Sequence, residues 1–296
     1  MRPPVFLLGA PRSGTTLLYK CLCLHGEASW FSNYGRRLPG IPQLAVLGRA
    51  ARHFPDARRR AWFGANASNA YVYSQRRQLH ERAFPMPVEG EPIFGACGIP
   101  ELPSGIAAED APQRLSAFVR SACQASGAPV FVNKRIANNQ RVPLLETAFP
   151  DARFIVITRD GRSVAASLAK VDWWPRQIVF WYGGTPASWA AEGRDPWELC
   201  GREWVEQLRT MEEGLASVDP TRVHRVRFEQ LLEDPSGVVG AAREFAGLSQ
   251  DRRFDQAVSE IRFPPDASWR DKLDPAALIT IESVQAPLLA SHGYRA

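Results

Sequence analysis

The chain is short of lysine. Only four of its 36 basic residues are lysine (Lys20, Lys134, Lys170 and Lys272), and the rest are arginine. Arginine is the rigid, five-donor fork that suits phosphate and sulfate, although a GC-rich genome also favours arginine codons. Cysteine is scarce too. Its five copies are odd in number and scattered, which excludes a disulfide scaffold, and Cys21-x-Cys23 fits neither a zinc nor a thioredoxin pattern. No apolar run approaches the roughly eighteen residues of a membrane span. The N-terminus enters strand-like sequence without a charged-then-apolar leader. These absences predict reduced thiols, a cytoplasmic location and no transmembrane segment. No His, Asp or Glu cluster stands at ligand spacing, so no metal is expected. A net charge of +5 comes with no nucleic-acid module signature, which favours an anionic ligand over nucleic acid.

What is present is ordinary globular composition, 45% apolar and 23% charged over 296 residues. That suffices for a sizeable core. Pro4–Leu8 reads as a buried strand, 9–16 as a turn-rich loop and Thr15–Leu24 as a helix. Residues 30–90 are irregular, with a basic helix predicted over Arg49–Arg60. Ala111–Ser126 reads as a helix, Val130–Asn133 as a strand and Val142–Ala148 as a helix. Arg153–Thr158 (RFIVIT) is the clearest strand, and a helix opens at Arg162. Trp173–Pro196 reads as an aromatic loop, Pro196–Ala216 as a helix and Arg222–Phe228 as a strand. Two more helices follow, then a proline-rich loop at 264–265 and a short C-terminal helix. Strands alternating with helices predict an α/β fold. It should be a single three-layer domain over 1–296, with a parallel central sheet flanked by helices.

Two segments carry chemistry. Gly9-Ala-Pro-Arg-Ser-Gly14-Thr15-Thr16 follows a strand and opens a helix, the context in which backbone N–H groups and a helix N-terminus receive an anion. Its glycines match the ATP/GTP loop, but Thr15 stands where that loop has its lysine, and Arg12 supplies the charge instead. A 5′-phosphate with one transferable group therefore fits better than a triphosphate. The second segment starts at Arg159, at the end of the RFIVIT strand. Ser163 and Ser167 share one face of the following helix, so Arg159 and Ser167 can grip one phosphate beyond the strand's carboxyl end.

Pro11-Arg12-Ser13-Gly14-Thr15-Thr16 closely resembles the 5′-phosphosulfate loop of sulfotransferases that use PAPS (3′-phosphoadenosine 5′-phosphosulfate). The strand followed by R-D-G-R-S-V-A-x-S resembles their 3′-phosphate motif. Val223–Pro235 (VHRVRFEQLLEDP) is similar to a segment that holds the adenosine, with Phe228 where the family has tyrosine. Ser268–Leu273 resembles a late Trp-basic loop. The resemblance implies a P-loop NTPase-like sulfotransferase fold and PAPS as co-substrate. It implies PAPS contacts from Arg12, Ser13, Gly14, Thr15, Thr16, Arg159, Ser167, Phe228, Arg262 and Arg270, with Lys272 a further candidate. It also implies sulfuryl transfer to a hydroxyl or amine of an unidentified carbohydrate, lipid or small metabolite, with Lys134 near the leaving group and Arg12 on the 5′-phosphate.

The general base is not legible from the resemblance. Relatives use a histidine two residues past the lysine, where Ile136 stands, or a glutamate near Asn33 and Tyr34. Glu27, His53, Glu89 and Glu101 remain, and Glu89 and Glu101 are the chosen candidates. The aromatic run Trp173, Trp174, Trp181 and Tyr182 either walls an acceptor pocket or packs a core. Arg49–Arg60 leaves peripheral membrane contact open. Two other classes stay open: a P-loop nucleotide kinase, and a non-catalytic nucleotide-binding scaffold.

Overall fold

The computed structural model describes residues 1–63, 84–263, 269 and 273–294. Five parallel strands lie in the order β2-β3-β1-β4-β5: β1 Val5–Leu8, β2 Ala28–Ser29, β3 Val130–Lys134, β4 Arg153–Thr158 and β5 Val223–Arg227. β1 is central. Its Leu7 lies opposite Lys134 of β3 and Ile155 of β4, and Thr158 lies opposite Arg227 of β5. β1 and β3 are buried throughout and β4 nearly so, which is why they read as apolar runs rather than alternating ones. Phe6 is packed by Phe131, Phe149 and Phe154 with ring centroids 5.8 to 6.3 Å apart, aromatic contacts that add to area burial.

Helices flank the sheet and complete a three-layer α/β fold. Thr15–Cys23 packs on β3 and against Pro235–Phe245, while Pro196–Leu215 packs against Gly161–Leu168 and Pro275–Ser291. A smaller core of Leu168, Trp174, Val179, Trp189 and Ile281 lies under the aromatic segment, so that segment is partly core. Within this stretch, whose sequence predicts a loop, lies a helix, Pro186–Ala191, opened by a Thr185–Ser188 capping box. The basic helix expected over Arg49–Arg60 is two pieces, a 3-10 turn at Ala50–His53 and a helix at Pro55–Phe63. Pro55 disfavours helical backbone at Phe54. The C-terminal helix is seventeen residues, not short. All five cysteines are free and buried. Burial pushes the thiols of Cys21 and Cys200 up to about 12 and those of Cys97 and Cys123 to about 11, so they stay protonated and inert.

Candidate active site

Four chemistry-bearing segments lie at the carboxyl edge of the sheet, where parallel α/β sheets present their ligand sites. β1 runs into the glycine loop, β3 ends at Lys134, β4 is followed by Arg159, and Phe228 follows β5.

The loop after β1 is held open by its own backbone. Gly9 sits at φ +149°, and a Cβ there would come within 2.4 Å of the Ile157 carbonyl oxygen. Asn139 clamps the same residue from both sides. The Gly9 N–H donates to Asn139 Oδ1, and Asn139 Nδ2 donates back to the Gly9 carbonyl, each at 3.0 Å. Arg12 is the one non-glycine among the described residues with positive φ, at 68°. Such strain is concentrated at ligand clamps and switch regions. Gly14 at φ +85° opens the Thr15–Cys23 helix, which has no side-chain cap and no acid in its first turn. Ser13 is wholly buried, and its Oγ has no hydrogen-bond partner. A buried orphan hydroxyl next to an uncapped helix N-terminus is what an anion cradle offers before its ligand arrives.

The loop after β4 reaches this one directly. Arg159 donates from Nη1 to the Arg12 carbonyl at 2.7 Å, and Arg12 donates from Nε to Ser167 Oγ at 3.0 Å. The Arg159 guanidinium lies over the Phe228 ring at 4.5 Å. The edge of that ring would be 2.3 Å from a Cβ on Gly14, so only glycine lets Phe228 approach the loop. Arg12, Ser13, Gly14, Arg159, Ser167 and Phe228 therefore form one cluster. Arg162, in contrast, is committed to the fold. It pairs with Asp160 and Glu282 at 2.9 and 2.8 Å and lies 4.5 Å from the Trp269 ring. Trp269 is buried against it. Arg262 is exposed and is not among the residues lining the cleft described next. Arg270 and Lys272 lie outside the described residues.

A cleft of about 910 Å³ opens in front of the cluster, lined by Arg12, Gly14, Thr15 and Thr16 on one side and by Glu89, Glu101, Lys134 and Glu203 on others. Its volume is at the upper end for a small-molecule site. Buried Lys134 is hydrogen-bonded to Glu89 Oε1, and Arg135 Nη1 holds Glu89 Oε2 at 2.8 Å. Burial pushes the Glu89 carboxyl up, but Lys134 and Arg135 together outweigh it and hold the group below the usual carboxylate range. Glu101 is half exposed and pairs with Arg135 from outside. Arg135 thus gathers Glu89, Glu91 and Glu101, and Glu91 also takes Arg141.

Glu203 was not foreseen. It is buried, on the Pro196–Leu215 helix, accepting from Trp181 Nε1 at 2.9 Å and Gln207 Nε2 at 2.8 Å. Gln207 Oε1 in turn accepts from Asn139 at 2.7 Å and Gln140 at 2.9 Å. A polar chain thus runs from the aromatic wall through Glu203, Gln207 and Asn139 to Gly9. Desolvation pushes the Glu203 carboxyl up to about 7, against the two hydrogen bonds it accepts. Nothing in the sequence marks this residue among the many acids of an amphipathic helix. The polar Asn138-Asn139-Gln140 run soon after β3 is the sequence signal for the other members of that polar chain.

The sequence model of the sulfotransferase family matches residues 3–252. The chain belongs to that family. It is 24% identical over 270 residues to the omega-hydroxy-beta-dihydromenaquinone-9 sulfotransferase of Mycobacterium bovis, covering 83% of this chain and 63% of that protein. The chain therefore spans a little under two thirds of that relative. It is 21% identical to protein-tyrosine sulfotransferase A of Caenorhabditis elegans, over 99% of this chain and 67% of that one. Its fold superposes on the crystal structure of sulfotransferase STF9 from Mycobacterium avium with a TM-score of 0.57, at 17% identity, over 97% of this chain and 76% of that chain.

Proposed function

We propose that this member of the sulfotransferase family transfers a sulfuryl group from PAPS to a hydroxyl or amine of its acceptor, through one domain spanning residues 1–296. The observation that carries the proposal is the joining of the two arginine-bearing loops. Arg159 bonds the backbone of Arg12, and Arg12 bonds Ser167, so one cradle offers two cationic forks at neighbouring strand ends. A nucleotide with phosphate at both its 5′ and 3′ positions demands two such forks, and arginine meets each with paired donors. The orphan Ser13 hydroxyl and the uncapped helix supply further donors. PAPS supplies the transferable sulfuryl group and leaves as adenosine 3′,5′-bisphosphate. The 5′ end falls to Arg12, Ser13, Gly14, Thr15 and Thr16, and the 3′ end to Arg159 and Ser167. Phe228 flanks the base, and Arg262 and Arg270 remain outer candidates.

The protein's part in such a displacement is positioning and charge stabilisation, as in phosphoryl transfer. Lys134 supplies a cation at the cleft for the leaving group, and Glu89, which it contacts and which lines the same cleft, is assigned as the proton acceptor. Glu89 stays ionised across neutral pH, held there by Lys134 and Arg135. Glu101 steadies Arg135 from outside. Glu203 is the second reading for the base, favoured by a carboxyl raised to about 7, where general bases work best. The cleft is lined by Tyr19, Val88, Leu102, Trp173, Ile178 and Phe180 as well as by charge. That suits a hydroxyl carried on a largely apolar body, as in the hydroxylated menaquinone and the tyrosine of the relatives' names. Incubation with labelled PAPS and separate panels of hydroxylated lipids, phenols and sugars tests the reading. Label should pass to a lipid or phenol acceptor, and transfer to none would refute it.

A further inference from the structure

Residues 28–63 contain seven arginines and a single acid, Asp56. Among the described residues, Arg36, Arg37 and Arg49 are exposed and lie within ion-pair distance of no carboxylate. The same segment exposes large apolar side chains: Leu38 at 52%, Ile41 at 44%, Val46 at 49%, Leu47 at 45% and Phe54 at 61%. These are half of the ten large apolar side chains exposed among the described residues, and two others, Trp173 and Ile178, line the cleft. So concentrated an apolar surface is uncommon on a protein that meets only water.

The segment is also mounted firmly. Its 3-10 turn Pro42–Gly48 packs on the Ala111–Ser126 helix. Buried Arg58 donates to the carbonyls of Cys23, His25 and Gly48, and Arg52 bonds the carbonyl of Gly127. On the Pro42–Gly48 turn, Pro42, Ala45 and Gly48 are half-buried while Gln43, Val46 and Leu47 are exposed. With three residues per turn, one edge faces the protein and the others face out. Arg36, at the start of the stretch, lines the cleft.

We propose that residues 36–54 dock the protein on an anionic lipid bilayer, with Leu38, Ile41, Val46, Leu47 and Phe54 entering the headgroup layer and Arg37 and Arg49 meeting lipid phosphates. Apolar side chains interleaved with unpaired cations are the chemistry of an interfacial anchor. An acidic protein partner would use the cations but has no call for five exposed apolar side chains between them. Because Arg36 joins this surface to the cleft, docking brings the cleft mouth to the bilayer. An acceptor hydroxyl carried on a membrane amphiphile could then enter directly. That last step rests on the sulfotransferase reading; the docking does not.

The test is co-sedimentation of the full chain, without nucleotide, on vesicles of phosphatidylcholine alone or with added phosphatidylglycerol. The protein should sediment with the anionic vesicles and release at high salt. Each arginine near such a surface raises partitioning about fivefold, so Arg37→Gln with Arg49→Gln should lose about 25-fold. Leu47→Ser with Phe54→Ser should also lower partitioning, and that loss should persist at high salt. Both variants should bind adenosine 3′,5′-bisphosphate as the wild type does, which separates lost docking from lost folding. Equal binding to both vesicle types would overturn the proposal. So would anionic binding that neither pair of substitutions weakens, or binding to polyglutamate but to no vesicle. Failure of bisphosphate binding with docking intact would count against the proposed function and leave the docking standing.

Discussion

Glu203→Gln should change how stability depends on pH. The wild-type carboxyl is 5% exposed, and burial pushes it up to about 7, against an ordinary value just above 4 in the unfolded chain. Between those values the folded state holds a proton that the unfolded chain has lost. Wild-type stability must therefore fall as pH rises through that window and level off above it. The gap corresponds to about 4 kcal/mol overall, and to about 3 kcal/mol between pH of about 5 and about 8. Glutamine cannot titrate. Its amide nitrogen would face a donor, either Trp181 Nε1 or Gln207 Nε2, since Gln207 Oε1 is already taken by Asn139 and Gln140. That mismatch costs about 1–3 kcal/mol but does so at every pH. Urea unfolding of both proteins at the two pH values separates the terms. The wild-type advantage should shrink by about 3 kcal/mol from the lower pH to the higher. A difference that stays constant with pH would show that Glu203 is not a desolvated carboxyl, and its reading as the second candidate base would lose its basis.

Arg159→Ala and Arg12→Ala should each weaken adenosine 3′,5′-bisphosphate about 10- to 100-fold, the worth of a hydrogen bond to a charged group, with circular dichroism unchanged; unaltered affinity in both would refute the cradle. Glu89→Gln should lower kcat far more than Glu101→Gln, and wild-type kcat should hold as pH falls to about 6, because the Glu89 carboxyl lies below the usual range. A rate that falls through about 7, with Glu203→Gln the inactive variant, would move the base to Glu203. Gly14→Ala should destabilise by about 1–3 kcal/mol in thermal unfolding, since φ is +85° and the new methyl meets the Phe228 ring at 2.3 Å. A neutral effect would mean that Phe228 does not rest on the loop.

The sheet was legible where burial is two-sided. VFLL and RFIVIT are apolar runs because both faces of β1 and β4 are covered, and the glycine loop is local in sequence, so its strand-loop-helix context could be read without a structure. The two-residue β2 could not be seen, since no pattern exists at that length. Glu89 was nameable only as one of four candidates, three acids and His53. What singles it out is Lys134, 45 positions away; Asn133, beside Lys134 on β3, donates to the Glu89 carbonyl and fixes the segment there. Glu203 failed for the opposite reason. Its partner Gln207 is local, one helical turn on, but a Glu-Gln pair at that spacing reads as a solvated face until the helix is seen to turn it inward. Arg162 shows the same limit. It stands inside the R-D-G-R-S-V-A-x-S segment beside Arg159, yet Asp160, Glu282 and Trp269 occupy its donors and its face.

Titration calorimetry of adenosine 3′,5′-bisphosphate against ATP, each with and without magnesium, reaches the central claim most directly. Two arginine forks at neighbouring strand ends, with Thr15 in place of a triphosphate-binding lysine, predict at least about tenfold tighter binding of the bisphosphate, indifferent to magnesium. Tighter binding of magnesium–ATP, or no binding of the bisphosphate at all, would contradict it.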